Sequence, residues 1–566
     1  MDGSVGVLGI VTETDVPVPM RDGVVLRANV FRPDAPGRFP GLLMRTPYGK
    51  AAGGMERYVR AGYVVVTQDT RGRYASEGQY RVFSDENTGD AEDGYDSVEW
   101  LAAQPYCTGR VGTFGCSYNA WMQWQLARLR PPSLAAMAAY SIPVELTEVD
   151  WPGAFRPGRR IRWWLTTMAP DLRRREGLPP PHTTGDAQRI WDEIEHGRWL
   201  HFLPWRDITR FMPPSLAESV GRWLDDPAAR PWRFAEAHHE VGVPNLDFSG
   251  WYDHCGGTIG HLAGMQQHAR TPAAREQTKL IIGPWCHVTL GQRQTGGIDF
   301  GPQAEVDVHG AILRWFDHWL KGIDNGTDRE PPVRYFVMGS GKWKSAPTWP
   351  PPVGGEMTLF LASDGRANCA DTAGVLRPDG AGGGPDAYTY DAADPVPTLW
   401  DRNLFAGPSD RRRLEYRRDI LHYRTVLLEE EVEVVGHPEV VLYAASSAPD
   451  TDLFARLVDE PPEGPALDVC YGMVRARHRR GYDREDFLQP GEVTEFRIQL
   501  GPTACRFAKG HRIRLEITSS DFPNFDRNHN TGANDLADPR LAVAHQTVHH
   551  SPDLPSRLVL PVVGDD

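Results

Sequence analysis

Along the first 144 positions, short apolar runs alternate with longer stretches of helical periodicity. Gly41–Met44, Tyr63–Gln68, Val111–Phe114 and Leu134–Tyr140 read as buried strands, with helices predicted at Asp90–Ala103 and Tyr118–Arg128. Ahead of them, Asp22-Gly23 separates Val16–Met20 from Val24–Phe31, which is a hairpin signal. Strands separated by helices predict an α/β fold, with a mostly parallel sheet covered on both faces.

The rhythm breaks between residues 145 and 240, where an Arg- and Pro-rich stretch with eight Trp suggests short helices and no strands. It resumes with strands at Val243–Ser249 and Leu280–Ile282 and an amphipathic helix at Val308–Leu320. Further on, β-rich runs are separated by Gly, Pro and Asp clusters: Val333–Met338, Val432–Ala444, Leu453–Val458, Glu492–Leu500, Ile513–Thr518 and Leu558–Val563. That spacing predicts an antiparallel sandwich, with 374–396 as a long surface excursion. The expected layout is an α/β core (1–144 and 241–330) interrupted by a helical cap (145–240) and followed by the sandwich (331–566).

Composition narrows the class. A chain of 566 residues exceeds what one hydrophobic core supports. A net charge of −14 disfavours a dedicated nucleic-acid binder. No apolar run reaches the ~18 residues of a membrane span, so no membrane partner is expected. No Lys or Arg precedes Arg21, so the basic start of a signal peptide is missing and a cytoplasmic enzyme is expected. The seven Cys are scattered without a CxxC pair, which points to neither a metal site nor a disulfide framework.

The sharpest chemical signal is Arg110-Val-Gly-Thr-Phe-Gly-Cys-Ser117-Tyr-Asn-Ala120, where an apolar strand runs through a Gly-Cys-Ser turn directly into a helix. This is the context of a nucleophile elbow, although Asn119 stands where the second Gly of G-x-S-x-G belongs. In that fold the acid and then the histidine follow the serine, each on a loop after a strand. Val243–Ser249 leads into Gly250-Trp-Tyr-Asp253, and Leu280–Ile282 into Gly283-Pro-Trp-Cys-His287. Each loop supplies one candidate, in the required order.

Further stretches carry a family resemblance: Arg45-Thr-Pro-Tyr48, Gln68-Asp-Thr-Arg-Gly72, Ala75-Ser-Glu-Gly78, Tyr390-Asp-Ala-Ala-Asp-Pro-Val-Pro397 and Phe522-Pro-Asn-Phe-Asp-Arg-Asn528. With the three loops above, they run almost from end to end. The chain resembles the cocaine esterase (CocE/NonD) hydrolases, relatives of X-prolyl dipeptidyl peptidases and α-amino acid ester hydrolases. The resemblance implies an α/β-hydrolase core, an inserted helical cap and a C-terminal jelly-roll sandwich. It implies a triad of Ser117, Asp253 and His287, and an oxyanion hole of the Tyr48 hydroxyl and the Tyr118 backbone N–H. It also implies an acyl site near Trp151, one of Trp163 and Trp164, and the pair Leu404 and Phe405. No cofactor is implied, and dimerisation is a family habit. The family usually has Gly where Ala120 stands. Cys255, two residues past Asp253, is a further pocket candidate.

Other features have plainer readings. Arg156, Arg159, Arg160, Arg162 and Arg173–Arg175 read as a solvated helix face, with a substrate carboxylate or phosphopantetheine as the alternative ligand. Asp90, Asp93 and Asp96 at helical spacing read as solvent-facing or as partners of a helix N-terminus. His238-His239-Glu240 reads as surface, and Gly339-Ser-Gly-Lys342 fails as a phosphate loop. The expected function is hydrolysis of a small-molecule ester or amide with a bulky or aromatic acyl group. An acyltransferase and a catalytically dead binding protein are the alternatives.

Overall fold

The computed structural model describes residues 9–83, 89–145, 154–225, 234–253, 255–352, 354–399 and 407–564, except for the side chains of 194–197 and 255. Strands β1 (Gly9–Pro19) and β2 (Val25–Asp34) form the predicted antiparallel hairpin, turning at Gly23 with φ 87°. They join β3 (Phe39–Thr46), β4 (Val64–Asp69), β5 (Cys107–Cys116) and β6 (Leu134–Tyr140) in the order β1-β2-β4-β3-β5-β6. From β4 onward the neighbours run parallel.

A second sheet has β7 (Leu246–Gly250), β8 (Lys279–Gly283), β9 (Val333–Val337) and β10 (Lys342–Ala346), ordered β10-β9-β8-β7. It meets the first along β6 and β7. There Met137 N–H donates to Pro244 and Ser141 N–H to Phe248, both at 3.0 Å. The Asn245 side chain completes the seam, accepting from Ala139 N–H at 2.8 Å and donating to Ala139 C=O at 2.9 Å.

Both faces of the sheet are covered. Helices α1 (Asp90–Ala102) and α2 (Tyr118–Arg128) share a core with Val64 and Val66, while Val65 packs with the opposite cluster. That cluster includes Ile312, Trp315 and Phe316 of a helix spanning Val308–Lys321. The helix begins at an Asp307 cap and ends at Gly322, which takes the left-handed conformation at φ 71°. It lies so close to β5 that a Cβ on Gly112 would come within 2.5 Å of Phe316.

Between β6 and β7 the described residues form short helices. Helix α3 (Pro157–Arg162) runs into a wide π-type turn at Trp163–Met168. Trp164, Trp191, Trp199, Trp205 and Trp223 are buried and form the core of this insertion.

The chain from Gly355 onward is a large, mainly antiparallel β assembly whose interior includes Leu361, Leu442, Leu457 and Leu515. Two expectations are corrected here. Val333–Val337, assigned to the sandwich by its β-rich texture, pairs in parallel with β8 and extends the α/β sheet, with Gly339–Lys342 as its hairpin turn to β10. Residues 374–396 are not a loose excursion, because Asp386–Asp391 pairs with Val543–His549 and buries Tyr388 and Tyr390. The insertion docks on this β assembly through Phe155 N–H to Asp526 (2.8 Å) and Gly158 N–H to Pro523 C=O (2.9 Å). A Cβ on Gly158 would lie 2.8 Å from that carbonyl, so glycine is what lets the two approach.

Candidate active site

Ser117 stands between the end of β5 and the start of α2, with φ 61° and ψ −124°. An L-residue in that conformation is strained, and a sharp strand-to-helix turn requires it. The turn is over-determined: Ser117 N–H donates to Tyr140 C=O at 3.0 Å, and Ser117 C=O accepts from Ala120 and Trp121 at 2.8 and 2.9 Å. A Cβ at Gly115 would come within 2.7 Å of the Asn119 Cβ. Gly115, having no side chain, therefore leaves the room that Asn119 takes up, and the elbow accommodates Asn119 and the fully buried Ala120.

Asp253 follows β7 and His287 follows β8, both just past the carboxyl ends of parallel strands. The structure brings them together, with His287 Nδ1 2.9 Å from Asp253 Oδ2 and 3.1 Å from Oδ1. The Asp253 carboxylate is fully enclosed, and the imidazole keeps 15% exposure. A carboxylate only accepts, so this pairing assigns the ring proton to Nδ1 and makes Nε2 the unprotonated nitrogen of the neutral imidazole. Cys116, beside Ser117, is an inert thiol: burial, reinforced by the nearby Asp253, holds its pKa well above the ordinary value.

Tyr48 lies in the loop after β3, its ring edge-on to Tyr118 at 6.5 Å. Burial pushes the Tyr48 phenol up, against a hydrogen bond from Trp163, so it stays a neutral O–H donor. The Tyr118 backbone N–H is at the first position of α2, where an amide has no partner within its helix.

A supporting layer was not visible from the motifs alone. The Tyr118 hydroxyl accepts from Phe83 N–H at 2.6 Å and donates to Asp90 at 3.2 Å. Burial raises Asp90 to about 7, with Arg45 opposing. Arg73, fully buried, donates to Pro47 C=O at 2.9 Å and to Met168 C=O at 2.8 Å, tying the Tyr48 loop to the helical insertion. It sits between the Gln68–Gly72 and Ala75–Gly78 stretches, the sequence signals that pointed near it.

Two family models match the chain. Residues 22–289 fit the X-Pro dipeptidyl-peptidase (S15) family, and residues 325–559 fit the X-Pro dipeptidyl-peptidase C-terminal non-catalytic domain. The cocaine esterase of a Rhodococcus species is 32% identical over 577 residues, covering 97% of this chain and 98% of that protein. The chain belongs to the cocaine esterase family. It is a serine hydrolase of carboxylic esters, with an α/β-hydrolase core and a C-terminal β-sandwich.

Two solved structures share the whole cocaine esterase-type fold. An α-amino acid ester hydrolase superimposes with a TM-score of 0.78 at 24% identity, covering 99% of this chain and 98% of its own. An aminopeptidase from a marine-sediment Thaumarchaeota archaeon gives 0.77 at 23%, covering 100% and 98%. At this identity both speak for fold alone.

The remaining candidates separate. Trp163 is half-buried beside Tyr48, stacked 5.8 Å from Phe83. Trp164 has no exposed surface and packs on Phe155 and Trp223, so it belongs to the core of the insertion and not to a substrate pocket. Cys255 opens the helix α4 (Cys255–His268), and its side chain lies outside the described set, as do Trp151, Leu404 and Phe405.

Three surface readings are overturned. Arg156 and Arg160 are buried, Arg156 against Tyr471 and Asn524 and Arg160 over the Trp223 ring. Asp90 and Asp93 are buried in the first turn of α1, so the solvent-facing reading falls and the helix N-terminus reading stands; Arg45 donates to the Asp90 backbone carbonyl and Arg71 to the Asp93 carboxylate. His238 is buried too, with Nε2 3.1 Å from His261 Nδ1. Among the described residues, no group of three His, Cys, Asp or Glu side chains is arranged to hold a metal, and no helix is long and apolar enough to cross a membrane.

Proposed function

We propose that this ester hydrolase works through Ser117 as nucleophile, with His287 as general base and Asp253 orienting the imidazole. The observation that carries the reading is the strained elbow at Ser117, which holds the residue at the carboxyl edge of β5 directly ahead of a helix N-terminus. A backbone held off its preferred conformation at such a point is what presentation of a nucleophile requires.

His287 takes the Ser117 proton as Oγ attacks the ester carbonyl carbon. The carbonyl π electrons move to oxygen, where the Tyr48 hydroxyl and the Tyr118 N–H donate to the new oxyanion. Collapse expels the alcohol, which leaves with the proton held by His287. Water then repeats the sequence on the acyl-enzyme, and the acid departs. Asp253, enclosed and bonded to Nδ1, stabilises the imidazolium in both halves.

The substrate we infer is a small-molecule ester with a bulky or aromatic acyl group. Support comes from the likeness to the Rhodococcus enzyme and from Trp163, an indole beside the proposed oxyanion donor. The net charge of −14 argues against nucleic acid as a partner. A panel of p-nitrophenyl and aryl esters offered to the wild type and to Ser117→Ala tests the reading. Turnover that vanishes in the variant supports it; turnover that persists there assigns the chemistry to another group.

A further inference from the structure

Trp163 stands beside both residues of the proposed oxyanion hole. Its ring lies 6.5 Å from the Tyr118 ring, and it hydrogen-bonds to the Tyr48 hydroxyl. An indole N–H only donates, so the Tyr48 oxygen accepts and its own proton stays available for an oxyanion. The placement of this one ring therefore bears both on an oxyanion donor and on the space left for an acyl group.

The π-type turn that begins at Trp163 ends at Met168, and there it is held by a clasp of two residues, Arg73 and Tyr74. Arg73 has no exposed surface. Its Nε donates to Pro47 C=O at 2.9 Å and its Nη1 to Met168 C=O at 2.8 Å. One rigid plane thus joins the residue before Tyr48 to the end of the turn. A buried guanidinium is costly unless its donors are used. Here they serve two separate elements, with the Tyr80 ring 5.0 Å away and the Asp171 carboxylate at 3.8 Å.

Tyr74 takes a left-handed φ of 45°, a conformation that strains any residue but glycine. In it, the Tyr74 N–H donates to Asp171 and its C=O accepts from Arg175, both at 2.8 Å. Asp171 and Arg175 belong to the helix Ala169–Arg175, which continues from the turn. The Tyr74 ring packs on Gly49, where a Cβ would come within 3.3 Å of it. Strain is therefore located where the Tyr48 loop meets the helical insertion. The loop also has an anchor of its own: Lys50 N–H donates to Asp69 at 2.6 Å, and the Lys50 ammonium pairs with the same carboxylate at 2.8 Å. The clasp thus bears chiefly on the turn.

We propose that Arg73 is a positioning residue that sets acyl selectivity, by holding the Trp163 turn in register with the Tyr48 loop. The inference rests on the proposed function for the chemistry and for Trp163 as a wall of the acyl site.

The test compares p-nitrophenyl benzoate with p-nitrophenyl acetate, which share a leaving group and differ in acyl size. The ratio of their kcat/KM values, benzoate over acetate, cancels any loss of folded enzyme. Arg73→Lys keeps the charge and loses the planar fork, and should lower that ratio by about tenfold. Asp171→Ala reads the clasp from the insertion side and should lower it too, which keeps the test open if Arg73→Lys does not fold. In a Trp163→Ala background, Arg73→Lys should leave the ratio unchanged, because its effect runs through the indole. A ratio unaltered or raised by Arg73→Lys in the otherwise wild-type protein overturns the proposal, since a merely structural arginine costs both esters equally. A ratio that still falls about tenfold in the Trp163→Ala background also overturns it. Failure of the Ser117 reading looks different: cleavage of both esters then survives Ser117→Ala, whatever Arg73→Lys does.

Discussion

The carboxylate of Asp253 sits 2.9 Å from His287 Nδ1 and has no exposed surface, while the imidazole remains partly open. A carboxylate in that place can only accept, which fixes the proton on Nδ1 and makes Nε2 the nitrogen proposed to act as base. Asp253→Asn keeps the shape but offers an amide that can donate instead, favouring the wrong tautomer. We expect kcat on a p-nitrophenyl ester to fall by about 10⁴, with KM little changed and the far-ultraviolet circular dichroism intact. A loss of less than tenfold would show that Asp253 does not hold the base.

The backbone at Ser117 gives a stability prediction opposite in sign to its catalytic one. Its conformation costs a non-glycine residue about 1–3 kcal/mol, part of which glycine recovers. Ser117→Gly and Ser117→Ala should both be inactive, yet the glycine variant should be the more stable by about 1 kcal/mol in urea unfolding. A glycine variant less stable than the alanine one would mean that the elbow is not strained.

Tyr48→Phe removes one proposed oxyanion donor and leaves the ring. We expect kcat to drop by about 10²–10³ while KM changes little, the signature of a contact made in the transition state. Steady-state kinetics on one ester decides it. Equal kcat in both proteins would remove Tyr48 from the oxyanion hole.

His238 and His261 form a buried pair, and burial lowers the pKa of both, His238 to about 4. A histidine whose folded pKa is depressed binds its proton more readily in the unfolded chain. Its contribution to stability is full above the unfolded value of about 6.5 and is lost as pH falls toward 4. Urea midpoints should decline through that window, and His238→Gln should flatten the decline. A profile unaltered by the substitution would assign acid sensitivity elsewhere.

The candidate constellation could be picked out in the sequence because its parts are local. A strand, a turn of small residues and a helix mark Ser117, and Asp253 and His287 each follow a short apolar run. Partnerships made over long distances were not legible. The i, i+3 spacing of Asp90 and Asp93 fits a solvated face as well as a buried one. They meet Arg45 from β3 and Arg71 just past β4, contacts that no periodicity within the helix encodes. Trp163 and Trp164 are adjacent and chemically alike, and only tertiary packing sends one toward Tyr48 and the other into the core. The strand Asp386–Asp391 looked like loop because its pairing partner, Val543–His549, lies far along the chain.

Covalent labelling asks of the intact protein whether Ser117 is the nucleophile. The full-length protein treated with a fluorophosphonate should gain the mass of one adduct, mapped by peptide sequencing to Ser117 and absent from Ser117→Ala. An adduct on another residue, or no adduct in a folded protein that still cleaves esters, would mean that Ser117 is not the nucleophile.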